Sequence, residues 1–153
     1  MALTYIIGGK IVLPEAVLEG KALAFSEETG KIEGVVDTVP AGAKTIDACG
    51  NYVAPGLVDI HTHAGGGHWF FEEPEAAAQF NLMQGTTTVL PTLYFNMTND
   101  QLVEQADLIQ KAMKTEACAN IAGFYMEAPY MNPKFGADRE NNPWKGPDRK
   151  SVV

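Results

Sequence analysis

The chain has 153 residues, enough to bury one sizeable core or to form a small module plus part of a larger one. Its composition of 46% hydrophobic and 20% charged residues is that of a globular protein. This composition excludes a disordered chain. The formal net charge is -8 and the 11 Lys and Arg residues are scattered, which argues against a nucleic-acid-binding surface, because such a surface needs clustered cations.

The cysteines and the N-terminus indicate the cellular compartment. Cys49 and Cys118 are too few for a disulfide scaffold and lack metal-finger or redox spacing, so both are expected to be free thiols in a reducing cytoplasm. The N-terminus does not resemble a signal peptide, and no apolar run is long enough to cross a bilayer. The sequence therefore predicts a soluble cytoplasmic protein without membrane contact.

The first part of the chain, residues 1–54, predicts a small β-sandwich module. Short strands are expected at 4–7, 10–13, 22–25, 32–36, 45–47 and 51–53. Gly8-Gly9 is a tight-turn signal that predicts a hairpin between the first two strands. Gly30 supplies the positive φ that a second hairpin needs, between the third strand and the fourth.

From residue 55 onwards, strands and helices alternate. Strands are predicted at 58–61, 86–90 and 121–126, and helices at 74–84 and 99–115. Pro74 marks the start of the first helix and Gly85 its end, while Thr98 or Asn99 is the expected N-cap of the second. One stripe of the second helix is apolar and consists of Leu102, Ala106, Ile109 and Met113. This alternation is typical of βαβ units and predicts a parallel sheet in a catalytic domain over 55–153.

Two histidines one residue apart end the first of these strands. His61 and His63 share a face if the chain is extended, because side chains i and i+2 of a strand point the same way. A glycine run at 65–67 follows and lets the backbone approach a ligand. The pattern favours half of a metal site. The alternative is a pair of polar residues that form hydrogen bonds with the backbone at a partly buried strand end.

A carboxylate ends the third predicted strand. Glu127 follows an apolar segment, and the carboxyl ends of parallel strands share one edge of the sheet. We therefore expect Glu127 to face the same edge as His61 and His63. The alternative is a solvated or helix-capping glutamate, because carboxylates are mostly exposed.

Several segments together resemble the amidohydrolase superfamily. They are the start of the β module, residues 55–63, the strand entry at 85–88 and the segment 123–133. The His-x-His strand is shared with dihydroorotases, hydantoinases, ureases and many deaminases. The segment Met126-Glu127-Ala128-Pro129 most resembles the Leu-Glu-Gly-Pro type motif of N-acetylglucosamine-6-phosphate deacetylases, with alanine where glycine is usual. The resemblance covers nearly the whole chain but only the N-terminal portion of such an enzyme.

The resemblance implies the fold of the complete enzyme. It implies a TIM-type (β/α)8 barrel, of which this chain would hold the first three βα units after the β module. A complete barrel needs about 250 residues. We therefore expect the chain to be the front part of an enzyme, truncated and inactive by itself, because an open three-stranded sheet leaves an apolar face uncovered.

The resemblance also implies a chemistry. One or two divalent ions, zinc or else iron, would be held by Glu127, His61 and His63 for hydrolysis of the acetamide of an amino-sugar phosphate to glucosamine 6-phosphate and acetate. In the family an aspartate after a late strand is the general base, and two more histidines complete the metal shell. We expect these residues beyond Val153, and we expect the full-length enzyme to be a homodimer.

The segment 134–138 matches the loop in which a Gly-Ala-His type sequence contacts the sugar in the family. The resemblance implies substrate contacts for Ala137 through its backbone and for Asp138, which replaces the histidine. His68 is expected either at the pocket or at the surface. The aromatic residues 69–71 and Trp144 are expected in the core rather than in pocket walls.

Two other functions remain open. The first is a cyclic amidohydrolase of the dihydroorotase or hydantoinase type, for which a lysine after the fourth strand would be the distinguishing residue. The second is a non-catalytic fragment that acts as an interaction module, which would bind metal weakly and would aggregate or form a swapped dimer.

Overall fold

The computed structural model describes residues 2–127, 130, 132, 142–144 and 146. The chain divides into two compact units, Met1–Pro55 and Gly56–Val153. Among the described residues, no helix has both the length and the apolar character needed to cross a membrane.

The N-terminal unit is built from strands alone. They are β1 (Thr4–Ile7), β2 (Lys10–Val12), β3 (Val17–Leu18), β4 (Ala22–Ser26), β5 (Lys31–Val36), β6 (Lys44–Asp47) and β7 (Tyr52–Val53). They form a four-stranded sheet in the order β5-β4-β1-β6 and a three-stranded sheet in the order β3-β2-β7. Tyr5, Ala22 and Ala24 are buried at the centre of its hydrophobic cluster.

The predicted hairpin between β4 and β5 is confirmed, and the one between β1 and β2 is wrong. β1 pairs with β4 and β6, whereas β2 pairs with β3 and β7. Gly8 has φ +65°, and a Cβ on Gly9 would lie 2.7 Å from Val53 and 2.8 Å from Ala48. The two glycines therefore carry the chain closely past another turn, from one sheet to the next, instead of reversing it.

The C-terminal unit alternates strands and helices. Its elements are β8 (Leu57–Thr62), β9 (Ala64–Gly65), β10 (His68–Trp69), α1 (Pro74–Met83), β11 (Thr86–Leu93), α2 (Asn99–Ala112), a 3-10 turn at Glu116–Cys118 and β12 (Tyr125–Met126). The order β12-β11-β8 is parallel at both pairings, which confirms the predicted parallel sheet. β9 and β10 form a small antiparallel pair.

The third strand is shorter than the sequence predicts. The prediction covers 121–126, but regular pairing occurs only at Tyr125–Met126, preceded by an isolated bridge between Val89 and Ile121. The pairing is interrupted at 122–124, where Gly123 offers no side chain to pack. β11, in contrast, extends to Leu93, beyond the predicted end at residue 90.

The helix ends follow the local signals. Pro74 is the first residue of α1, and Gly85 after it has φ +91°. Thr98 caps α2, because its hydroxyl accepts from the backbone N–H of Gln101 while the Gln101 side chain accepts from the backbone N–H of Thr98. α2 ends at Ala112, three residues before the predicted end at residue 115.

The hydrophobic core of the C-terminal unit lies between the helices and β11. Its buried members are Phe70, Ala77, Ala78, Val89, Leu93, Met97, Leu102, Ile109, Cys118 and Ile121. The predicted stripe of α2 faces this core, since Leu102 and Ile109 are buried and Ala106 and Met113 pack against it. β8 differs, because Leu57, Val58 and Ile60 are each more than 60% exposed.

Candidate metal centre

The two histidines lie at the carboxyl end of β8. His61 is in the strand and His63 follows it directly. Asp59 accepts a hydrogen bond from the backbone N–H of His61 at 3.0 Å, which braces the end of the strand. The Nδ1 atom of His63 lies 3.2 Å from the carbonyl oxygen of buried Thr92. When Nδ1–H donates to that carbonyl, the Nε2 lone pair is free to bind a metal ion.

Glu127 comes to the same place from β12. Its backbone N–H donates to the carbonyl oxygen of Leu93 at 3.1 Å, and this bond places residue 127 beside the end of β11. Its Oε1 lies 3.9 Å from His61 Nε2, and its Oε2 lies 4.0 Å from His63 Nε2. One ligand atom from each of the three residues lies within 4.8 Å of the other two.

Aromatic rings surround the histidines. The ring of Tyr125 lies 5.2 Å from that of His61, centroid to centroid. The ring of Tyr94 meets His63 edge-on at 4.9 Å, and the Trp69 ring lies 6.5 Å from it. These rings restrict the imidazole orientations, and the His63 side chain, at 25% exposure, is covered more than that of His61, at 46%.

The donor set fits a divalent metal ion. Glu127 Oε2 is buried and has no hydrogen-bond partner among the described residues. An unpaired buried carboxylate oxygen is costly, and a cation between the three side chains would satisfy it. Tetrahedral N and O ligands bound at about 2.1 Å lie roughly 3.4 Å apart, so small side-chain movements would close the group on an ion.

The alternative for the histidine pair was that both residues form hydrogen bonds with the backbone at a partly buried strand end. The structure agrees with this only in part. His63 does contact a backbone carbonyl, as that alternative requires, but it does so through Nδ1. Its Nε2 faces the carboxylate of Glu127. The backbone contact therefore orients the imidazole toward the group and leaves its second nitrogen available.

The remaining predicted residues are placed differently. Ala137 and Asp138 lie outside the described residues. His68 does not join the group, and its Nδ1 lies 2.8 Å from the carboxylate of Glu73 at the surface. In the glycine run, a Cβ on Gly65 would lie 2.6 Å from the backbone oxygen of Ala77. The close approach at this glycine is thus to helix α1.

The aromatic residues split between core and surface. Phe70 is buried, as predicted. Trp69 is 43% exposed, so the prediction of a core position is wrong for it, because β10 turns its side chain away from the cluster that encloses Phe70. Trp144 is partly buried, and its Nε1 donates to the carbonyl of Met97 at 2.7 Å.

Thr92 and Tyr94 were missed by the sequence reasoning. They orient and flank His63 although 29 or more residues separate them from it in the chain. Their position at the carboxyl end of the central strand was the available signal, because functional side chains of parallel sheets gather there. Because the strand was predicted to end at residue 90, Thr92 and Tyr94 were not expected at its carboxyl end.

Curated proteins with similar sequences have three different activities. A 5-methylthioadenosine/S-adenosylhomocysteine deaminase of Natronomonas pharaonis is 42% identical over 64 residues, which are 42% of this chain and 15% of the relative. A dihydroorotase of Geobacter metallireducens is 30% identical over 117 residues, 74% of this chain and 27% of the relative. An N-acetylglucosamine-6-phosphate deacetylase of Haemophilus influenzae is 29% identical over 108 residues, 66% of this chain and 28% of the relative. The chain thus spans less than a third of the length of each.

Solved structures with a similar fold are larger than this chain. The N-acetylglucosamine-6-phosphate deacetylase of Pasteurella multocida matches with a TM-score of 0.68 at 23% identity, over 86% of this chain and 36% of that one. The enzyme of the same name from Mycobacterium smegmatis matches with a TM-score of 0.67 at 21% identity, over 99% and 42%. At these identities the similarity establishes the fold alone.

The chain is thus an α/β protein whose relatives by sequence or by fold are deaminases, dihydroorotases and deacetylases. No protein-family profile matches the chain. In sequence and in fold the chain resembles the amidohydrolase superfamily, here represented by dihydroorotase and deacetylase sequences and by deacetylase folds. It matches the N-terminal portion of N-acetylglucosamine-6-phosphate deacetylases.

Proposed function

We propose that His61, His63 and Glu127 hold a divalent metal ion in a hydrolase that cleaves an amide. The observation that supports this most directly is the convergence of three metal-ligand groups from two strands around a buried carboxylate oxygen without a partner among the described residues. Zinc fits imidazole and carboxylate ligands, and iron is the second candidate. One or two ions are compatible with the three groups.

The side chains of this unit have distinct tasks in the proposed site. The carbonyl of Thr92 fixes the tautomer of His63, Asp59 braces the backbone at His61, and Glu127 supplies the negative charge. A bound divalent ion would lower the pKa of a water molecule and polarise the carbonyl of the substrate. The resemblance requires a general-base aspartate and two further histidines in addition to these residues.

The substrate that we propose is N-acetylglucosamine 6-phosphate, cleaved to glucosamine 6-phosphate and acetate. The support is the Glu127 motif together with the deacetylase folds and the deacetylase sequence relative. Dihydroorotate is the second candidate, because a dihydroorotase aligns over 74% of the chain at 30% identity. Ala137 and Asp138 are proposed to contact the sugar.

The proposal extends to the fold of the complete enzyme. We propose that residues 1–54 form an auxiliary β module and that 55–153 form the first three βα units of a TIM-type barrel. The support is β8, whose apolar residues Leu57, Val58 and Ile60 are exposed although barrel strands are covered on both faces. A cytoplasmic homodimer is the proposed form of the complete enzyme.

Zinc affinity tests the proposed metal site. Glu127→Gln keeps the volume of the side chain but removes its charge, and we expect it to weaken zinc binding by about 100-fold or more, since loss of even an outer-shell partner costs about 10–100-fold. The affinity is measured by calorimetry on chelator-treated protein. Glu72→Gln, at an exposed position of the same unit, is the matched control. Equal zinc affinity in the Glu127 variant and the parent would refute the site.

The choice of substrate is tested on zinc-loaded protein. N-acetylglucosamine 6-phosphate and dihydroorotate are titrated separately, and the ligand NMR signals are followed for broadening. The deacetylase proposal predicts binding of the sugar phosphate in preference to dihydroorotate. The reverse preference would favour the cyclic amidohydrolase.

A further inference from the structure

A cleft of about 570 Å³ lies beside the candidate metal centre. Trp69, Phe71 and Tyr94 form its aromatic walls, and Asn96, Gln101 and Gln105 contribute carboxamide groups. The Trp69 and Phe71 rings lie 5.2 Å apart and are inclined by only 32°, so together they form a broad apolar surface. The cleft therefore combines flat apolar faces with neutral hydrogen-bonding groups.

Two aromatic rings of the cleft are also neighbours of the proposed metal site. Trp69 and Tyr94 line the cleft, and the same two rings stand 6.5 Å and 4.9 Å from the ring of His63. A molecule that lies against these rings has one end next to the His63 imidazole. The geometry suits a ligand whose larger part occupies the cleft while a smaller group extends toward the metal ligands.

The carboxamides offer both donors and acceptors. Gln101 uses its Oε1 to cap helix α2, accepting from the backbone and the hydroxyl of Thr98, so its NH2 group is the part left for a ligand. Gln105 Oε1 is buried without a hydrogen-bond partner among the described residues. Rotation about the soft terminal torsion of Gln105 can turn that oxygen toward a donor in the cleft.

The charge of the described lining residues disfavours an anion in the cleft. Glu72 is the one ionisable carboxylate among the described lining residues, and neither lysine nor arginine lines the cleft there. Among the described lining residues a phosphate or carboxylate would meet no cation, and Glu72 would repel it. A neutral ring with an apolar face and hydroxyl or amide groups at its edge matches the aromatic walls and the carboxamides.

We propose that this cleft binds the neutral ring of the substrate, which positions the hydrolysed group at the metal centre and leaves any anionic group of the substrate outside the cleft. This rests on the proposed hydrolase function. Stacking on Trp69 and a hydrogen bond to Gln105 are the main contacts. Both a pyranose and a planar cyclic amide have an apolar ring face with polar groups at the edge. Measuring the binding of one probe of each type distinguishes between them.

The test uses metal-free protein and two neutral probes, N-acetylglucosamine for a pyranose and dihydrouracil for a cyclic amide. Binding is followed by saturation-transfer NMR and by quenching of tryptophan fluorescence. Trp69→Ala and Gln105→Leu are each expected to weaken binding of the preferred probe by about tenfold, which corresponds to one lost stacking or hydrogen-bonding contact. Gln110→Leu is the matched control, because Gln110 is an exposed residue of the same helix and does not line the cleft.

The outcomes separate this site from the metal site. Binding of either probe that falls in both cleft variants and not in Gln110→Leu supports the cleft and identifies the ring type. Binding of neither probe, or equal binding in all variants, overturns the proposal. Unchanged zinc affinity in Gln105→Leu shows that the variant is folded. A parent chain that binds a probe but not zinc refutes the metal site alone.

Discussion

Strands β4 and β8 show how differently the two units use a sheet. In β4 the residues alternate, with Ala22, Ala24 and Ser26 buried, and the strand has a partner on each side. In β8 both faces expose apolar residues, and among the described residues it pairs with β11 alone. Alternation is typical of a sheet with one solvated face, whereas uninterrupted apolar sequence is typical of a strand that is buried on both faces. The first sheet therefore has the pattern of a sheet with one solvated face, whereas β8 leaves apolar residues exposed on both faces.

The two units also differ in where their charged and ionisable side chains meet. In the N-terminal unit they form ion pairs at the surface, such as Lys44 with Glu27 and Lys10 with Glu19. Such pairs contribute little to stability. In the C-terminal unit His61, His63 and Glu127 converge behind aromatic rings, where a carboxylate without a cation is costly. We therefore expect the buried Glu127 oxygen to cost the C-terminal unit stability when no cation is bound.

The largest effect is expected from Gly65→Ala in the C-terminal unit. The new methyl group would lie 2.6 Å from the backbone oxygen of Ala77, which helix α1 holds in place. We expect the free energy of unfolding to fall by about 1–3 kcal/mol. Urea unfolding followed by tryptophan fluorescence measures this unit specifically, because both tryptophans, Trp69 and Trp144, belong to it.

Gly123→Ala is the matched control for that substitution. A Cβ there would meet the Leu90 side chain at 3.5 Å, an ordinary van der Waals distance. The free energy of unfolding should change by less than about 1 kcal/mol. If both variants were equally stable, the close contact between β9 and α1 would not be important for this unit.

A smaller effect is expected from Thr98→Ala. The substitution removes the hydroxyl that accepts from the Gln101 backbone and so breaks the capping box of α2. The cost is about 1 kcal/mol. Thr98→Ser retains the hydroxyl and should be close to the parent in the same fluorescence-monitored urea titration. A Thr98→Ala variant as stable as the parent would show that packing alone maintains the helix end.

The smallest effect concerns pH and the N-terminal unit. The hydrogen bond from Lys44 and a second one from Thr4 lower the pKa of Glu27. Since the folded pKa is lower than the unfolded one, the stabilisation is present above the ordinary carboxylate pKa of about 4.3 and is lost as the pH falls through the folded pKa. Because Glu27 is exposed to solvent, the effect is small.

Glu27→Gln should remove this acid dependence. Urea unfolding is followed by far-UV circular dichroism at a series of pH values, and the parent should lose more stability than the variant on acidification. Glu28→Gln, at an exposed neighbour without an ion pair among the described residues, serves as the control. Equal acid sensitivity of the parent and Glu27→Gln would contradict the assignment.

The order of elements could be predicted because the signals are local. Pro74 and Gly85 bound α1, and Thr98 caps α2, where the sequence predicts them. The pairing of β1 with β6 could not be predicted, because it depends on contacts some forty residues apart and the Gly8-Gly9 dipeptide is also compatible with a hairpin. The predicted length of the third strand was wrong. The apolar residues at 121–126 predict a strand, but Gly123 offers no side chain to pack, and regular pairing is limited to Tyr125–Met126.

Some residues of the candidate site and the cleft could be predicted from local sequence, and others could not. His61, His63 and Glu127 were chosen from residue type and position after strands. Trp69 was expected in the core, because an aromatic run carries no local signal for which ring faces solvent. The carboxamides of the cleft gave no signal either, because Gln101 and Gln105 look like ordinary exposed residues of a helix.

The sequence by itself determined the two-part organisation of the elements, the parallel βαβ arrangement and the residue types of the candidate metal site. Hydrophobic period, turn residues and caps act within a few residues, so they can be recognised along the chain. The tertiary structure alone decided which groups meet: Thr92 beside His63, Glu127 opposite both imidazoles, and Trp69 as a wall of the cleft. Register and strand twist set these contacts, and both depend on pairing between residues far apart in sequence.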